Sequence, residues 1–83
     1  MKLQHTKYDN NQQKYWSIIF IENRQPIKLR MESKGFRALY YWLERNYPTW
    51  TSINVYKRYK GGVKGDFVIQ LRKENYFNNI QNL

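Results

Sequence analysis

The stretch that most limits what this chain can fold into is Tyr15 to Glu22, YWSIIFIE, where aromatic and β-branched residues fill both alternating positions. Such side chains suit a pleated, packed surface, and an apolar set on both alternations predicts a central strand covered on each side. The next segments differ. After the turn-forming ENRQ, the string PIKLRME puts Ile27, Leu29 and Met31 on one alternation and Lys28, Arg30 and Glu32 on the other, the pattern of a half-exposed strand. The two read as a hairpin with an apolar face that needs a cover. A helix supplies it. Ser33 is placed as its N-cap, and the helix runs to about Asn46 because Pro48 disfavours helical geometry at Tyr47. Phe36, Leu39, Tyr40, Leu43 and Tyr47 recur at helical spacing and form one stripe toward the sheet, while Lys34, Arg37, Ala38, Tyr41, Trp42 and Arg45 lie on the opposite face.

Two further strands are read in SINVYKRY and DFVIQLRK, with Ile53 and Val55 in one and Phe67, Ile69 and Leu71 in the other directed at the core. Between them Gly61 and Gly62 offer positive φ for a tight turn, and Gly65 a bulge. In the tail, Tyr76, Phe77, Ile80 and Leu83 are spaced for a short closing helix, though the segment is rich in Asn. The expected architecture is α+β: a β-β-α-β-β order with that closing helix as an addition, and a largely antiparallel four-stranded sheet packed on one main helix. No repeat or linker divides the chain. Residues 1–83 are therefore read as one domain, with 1–13 and 78–83 as loosely ordered ends.

A domain of 83 residues buries a limited core, so a large catalytic cleft is not expected. The 18% aromatic content supplies much of that core, and the absence of cysteine removes disulfides, thiolate metal sites and thiol nucleophiles together. His5 is the single histidine and lies in a polar stretch. With no second histidine and no cysteine, the usual zinc ligand sets are excluded. The six acids are scattered singly, without the paired spacing of a magnesium site or of two catalytic carboxylates. Glu44 and Arg45 are read as surface charges. A non-catalytic protein without cofactor or metal is the expectation.

GGVKG, residues 61–65, lacks the spacing of a nucleotide phosphate loop and no helix follows it. KGDFV, residues 64–68, is similar to the RNA-recognition signature but is one residue short and has Asp66 where an aromatic belongs. The hairpin-then-helix outline over residues 15–45 is similar to the sheet-plus-helix plan of plant AP2-type and integrase N-terminal DNA-binding domains. No specific signature is shared and two strands follow the helix here, so the likeness is one of surface design.

Charge is the stronger guide. The net charge is +9, and residues 28–83 carry eleven cations against four acids, +7, so the folded body holds most of it. Charge of this size points to a polyanion or an acidic protein surface. If the helix covers one side of the sheet, Lys28, Arg30, Tyr56, Arg58, Gln70 and Arg72 share the other, joined by Trp16 when Ile19 and Ile21 face the helix. Cations that neutralise phosphates beside aromatics that stack on bases suit nucleic acid, DNA or RNA. The expected contact set is Lys28, Arg30, Tyr56, Lys57, Arg58, Lys60, Lys64 and Arg72, with Lys57 to Lys64 as a basic finger that adds affinity rather than sequence reading. Lys34, Arg37, Tyr41, Trp42 and Arg45 form a second surface, either a satellite core under the N-terminal segment or an interface for a partner or a homodimer.

The alternative function is a small inhibitor or adaptor that binds an acidic host protein or a ribonucleoprotein, such as a blocker of a nuclease, CRISPR or transcription complex. Lys, Asn, Tyr and Ile make up 33 of 83 residues, all with AT-rich codons, which suits a phage or mobile-element accessory factor. The longest apolar run, Ile18 to Ile21, is too short to span a bilayer, so a cytoplasmic protein without membrane contact is expected.

Overall fold

A computed structural model of the chain describes residues 14–32, 35–59, 61, 63–81 and 83. Strand β1 (Lys14–Ile21) forms where β-branched and aromatic residues are densest. Its burial alternates strictly: Tyr15, Ser17, Ile19 and Ile21 are buried, while Trp16, Ile18 and Phe20 keep partial exposure. Asn23 then turns the chain in the left-handed region, φ 63°, which Asn tolerates better than most residues, and the Arg24 amide donates to the Ile21 carbonyl at 3.3 Å. Strand β2 (Ile27–Glu32) returns antiparallel, with Met31 opposite Tyr15 and Ile27 opposite Ile19.

Helix α1 (Gly35–Asn46) buries Phe36, Leu39 and Leu43 and half-buries Tyr40, with Tyr47 half-buried just beyond its end, so the stripe read from the sequence is the packed one. The expected cap, Ser33, lies outside the described residues. Strand β3 (Trp50–Arg58) runs beside β1, and strand β4 (Lys64–Arg72) closes the sheet in the order β2-β1-β3-β4. A register shift at Phe20 and Ile21 sets Trp50 opposite Ile21, on the helix side. There the indole is fully buried and its Nε1 donates to the Glu44 carboxylate at 2.9 Å. Lys73 approaches the same carboxylate at 3.3 Å. The hydrogen bond from Trp50, aided by Lys73, holds the Glu44 carboxyl below its ordinary pKa.

After β4 the chain makes a 3-10 turn (Lys73–Asn75) and the short helix α2 (Tyr76–Ile80). Tyr76 is buried, and its hydroxyl donates to the Phe36 carbonyl at 2.7 Å. Its ring meets those of Tyr40 and Trp50. Phe77, Ile80 and Leu83 pack against the same cluster, so the helical spacing of the tail is realised on the α1 side of the sheet. Ile19, Ile53, Val55 and Leu71 meet Phe36, Leu39, Leu43, Trp50 and Tyr76 in one core. Full burial of each such side chain contributes about 1.5–3 kcal/mol.

The result is a small α+β domain, β-β-α-β-β-α, with one antiparallel sheet and both helices on one side. β1 is central, as expected, but the described residues cover it on a single face. The second apolar alternation, Trp16, Ile18 and Phe20, belongs to the side away from the helices. The N-terminal residues 1–13, read as loosely ordered, lie outside the described residues. No helix among the described residues is long and apolar enough to cross a membrane.

Candidate functional site

Register decides which side chains meet on the helix-free side of the sheet. Trp16 stands opposite Arg30 of β2 and opposite Tyr56 of β3, and Tyr56 in turn stands opposite Phe67 of β4. One row therefore crosses all four strands as Arg30, Trp16, Tyr56 and Phe67. A second row holds Lys28, Ile18, Asn54 and Gln70, and a third sets Phe20 and Ser52 beside Arg72. At the hairpin end Arg58 pairs with Lys64, and Lys14 with Glu32. Side chains alternate across a strand, so these positions share one face. Lys28, Arg30, Tyr56, Arg58, Gln70 and Arg72 were expected together, and they are together.

The geometry within the rows is tight. The Lys64 ammonium lies 4.4 Å from the centre of the Tyr56 ring, and Tyr56 meets Phe67 edge to face at 5.6 Å. Gln70 donates to Asn54 at 3.0 Å, and Arg72 donates to Gln70 at 3.4 Å. Trp16, Lys28, Leu29 and Arg30 line an open depression of about 370 Å3 at the β2 edge. Lys28 and Arg30 are exposed and have no ion-pair partner among the described residues.

The structure refines this picture residue by residue. Phe67 was assigned to the core with Ile69 and Leu71, but it is 56% exposed on the open face. The cause is a bulge: Val55 pairs with Ile69 whereas Tyr56 pairs with Phe67, which leaves Val68 as the extra residue and reverses the alternation below it. Lys57 was read as the start of the basic finger. It stands opposite Tyr15 on the helix side of β3, a position fixed by the same alternation that puts Tyr56 and Arg58 on the open side. Arg58 is on the open face, but its side chain is only 12% exposed and lies 3.9 Å from Glu32. The face also carries acids: Glu32, read on the same alternation as Lys28 and Arg30, pairs with Lys14 at 3.6 Å, and Glu74 pairs with Arg72 at 3.6 Å. Lys34 and Lys60 lie outside the described residues.

Phe67 is the surface residue that alternation missed. Its signal was the unbroken run Phe67, Val68, Ile69, which a half-buried edge strand cannot carry without a slip. Gly65, expected at a bulge, lies in a second slip between Phe67 and Lys64. A Cβ at Gly65 would collide with the Tyr59 ring and come within 2.9 Å of the Lys57 carbonyl, so the hairpin neck requires glycine there. Gly61 has φ 84° at the tip, as expected, while Gly62 lies outside the described residues.

On the far side of the molecule Tyr41 is 54% and Trp42 37% exposed. Tyr41 leans on Phe77, Trp42 on Tyr47, and the Arg37 guanidinium sits 5.2 Å over the Phe77 ring. Arg45 is exposed on the same helix. Among the described residues no three metal-ligating side chains come together. Comparison with known protein families, curated proteins and solved structures finds no match, so the functional reading rests on this surface alone.

Proposed function

We propose that this protein binds nucleic acid without catalysis, through the helix-free face of its sheet. The observation that carries the reading is the register. It surrounds the row Trp16, Tyr56 and Phe67 with Lys28, Arg30, Lys64 and Arg72, while both helices occupy the other side. Cations beside exposed rings suit a ligand that offers phosphates and bases at once. The abundance of Lys, Asn, Tyr and Ile, residues with AT-rich codons, fits an accessory factor of a phage or mobile element.

The test is fluorescence anisotropy of labelled single-stranded DNA, duplex DNA and RNA at several salt concentrations from about 50 to 200 mM. Four phosphate contacts on a single strand give a slope of log K against log salt of about −3, at about −0.7 per contact. Neutralising Lys28 and Arg30 together should flatten that slope by about 1.4. Binding that vanishes for all three ligands by the upper salt would overturn the proposal. A second reading, an inhibitor or adaptor that meets an acidic protein or ribonucleoprotein, draws on the exposed Tyr41 and Trp42 beside Arg37 and Arg45. Loss of partner binding in Tyr41→Ala with nucleic-acid binding intact would favour it.

A further inference from the structure

We infer that the ligand is an unpaired strand, DNA or RNA, whose bases are splayed onto separate aromatic platforms, with one nucleotide seated in the depression formed by Trp16, Lys28 and Arg30. This inference rests on the nucleic-acid reading above and names its substrate class. Three observations carry it.

The first is that the rings differ in availability. Tyr56 has Lys64 over its ring and Phe67 against it, so it is a buttress rather than a platform. Phe67 is 56% exposed, and Trp16 opens into the depression of about 370 Å3. That volume is near the lower end of the usual range for small-ligand sites, roughly 300–1,000 Å3. A base lying on Trp16 would bring its phosphate to Lys28 and Arg30, which no acid among the described residues engages.

Spacing is the second. Trp16 and Phe67 are in one row on β1 and β4, with β3 between them. Two strand spacings amount to about 10 Å. Stacked bases in a duplex rise only about 3.4 Å per step. Adjacent bases of a strand that uses both platforms must therefore part well beyond the stacked rise, which a duplex cannot do without unpairing.

The third is chemical. A duplex offers phosphates, base edges and thymine methyls, so a phenyl ring can touch a methyl or wedge into a step but meets no free base face there. Only unpaired bases offer a π-face to Phe67. The bulge at Val68 turns this ring out of the core, at the expense of a regular register.

The experiment compares a labelled oligothymidylate, an oligouridylate, the matching duplexes and an abasic strand that keeps the phosphates, all against the wild-type protein at about 150 mM salt. The unpaired strands should bind at least tenfold tighter than the duplexes and the abasic strand. Trp16→Ala and Phe67→Ala should each weaken single-strand binding by roughly 5- to 150-fold, with the salt slope unchanged. Trp16→Phe should restore most of the loss, and because the abasic comparison uses the unaltered protein, a misfolded variant does not decide the outcome. Equal binding of abasic, duplex and base-bearing strands would overturn the inference and leave the nucleic-acid reading standing as backbone recognition. Failure of every ligand to bind would remove both.

Discussion

The two faces of the sheet are made from the same strands, and they differ in what holds them. On the helix side Ile19, Ile53, Val55 and Leu71 have no exposed surface and meet both helices. On the other side Trp16, Ile18 and Phe20 belong to the same central strand, yet their neighbours are Lys28, Arg30, Asn54, Tyr56 and Arg72. Adjacent residues of one strand thus have opposite tasks. The helix side stabilises the domain by burial, and the open side leaves apolar surface within a basic surround. A small domain with few apolar residues to spare would gain by covering those side chains. Their exposure among the described residues is what the proposed contact face requires.

The sharpest way to break this comparison is a pair of identical substitutions one residue apart. Ile19→Ala should cost about 2–5 kcal/mol, because a fully buried side chain leaves a cavity between the sheet and α1. Ile18→Ala, on the open side, should cost less than about 1.5 kcal/mol. Urea midpoints of the two variants measure the difference. Equal losses would show that the open side is a second packed layer, and the site would have to be sought elsewhere.

Tyr76 tests the helix side by chemistry instead of volume. Tyr76→Phe removes the hydroxyl that donates to the buried Phe36 carbonyl, for an expected loss of about 1–2 kcal/mol. Burial also pushes the Tyr76 phenol well above its ordinary value of about 10, and that of Tyr15 in the same direction. A group raised on folding favours the native state while it stays protonated in both states. Its contribution is therefore complete below about pH 10 and declines above it, where only the unfolded chain ionises. Melting temperatures between pH 8 and 11 should fall for the wild type and fall less steeply for Tyr76→Phe. Parallel curves would mean that the phenol is accessible in the folded state.

The same contrast explains which parts of the molecule were legible in the sequence. The strand at Tyr15 to Ile21, the β2 alternation and the stripe Phe36, Leu39, Tyr40, Leu43 follow from local periodicity, although the described residues cover the strand on one face where its two apolar alternations implied cover on both. The cations Lys28, Arg30 and Arg72 followed from the same alternation. What failed depended on pairing between strands. Phe67 sits where β3 meets β4, and no local pattern reveals that Val68 is extra until its partner strand is in place. Trp50 was not assigned to the core for the same reason. Its inward direction comes from the shift at Phe20 and Ile21, and its polar partner, Glu44, comes from α1. Local alternation places Glu32 beside Lys28 and Arg30, but its contacts with Lys14 and Arg58 join three strands and only pairing reveals them.

Ser17 gives a smaller test on the covered side. Its side chain is fully buried between Leu29 and Val55, and its hydroxyl has no hydrogen-bond partner among the described residues. An unsatisfied buried hydroxyl opposes folding, so Ser17→Ala should stabilise the domain by about 0.5–1 kcal/mol. Ser17→Val adds volume under α1, where the core is closed, and should reverse the gain. If the alanine variant is less stable than wild type, the hydroxyl has a partner in solution, and the centre of the covered face is less dry than its apolar neighbours imply.

The smallest effect on stability is expected at Phe67, and that smallness is what makes the residue informative. Leu71, four positions along the same strand, is fully buried, and Leu71→Ala should cost about 2–5 kcal/mol. Phe67 has lost that burial through the bulge, and its ring meets that of Tyr56 at 5.6 Å. Phe67→Ser should therefore change the denaturation midpoint by no more than about 0.5 kcal/mol, the range of ordinary surface substitutions. Measured beside single-strand affinity, this variant separates stability from contact. A ring that contributes to binding and little to folding belongs to an interface, and the open face then has a selected purpose. A loss near that of Leu71→Ala would show instead that the Tyr56 and Phe67 pair closes the β3 to β4 hairpin, which would make the bulge a packing device and leave Trp16 as the remaining platform.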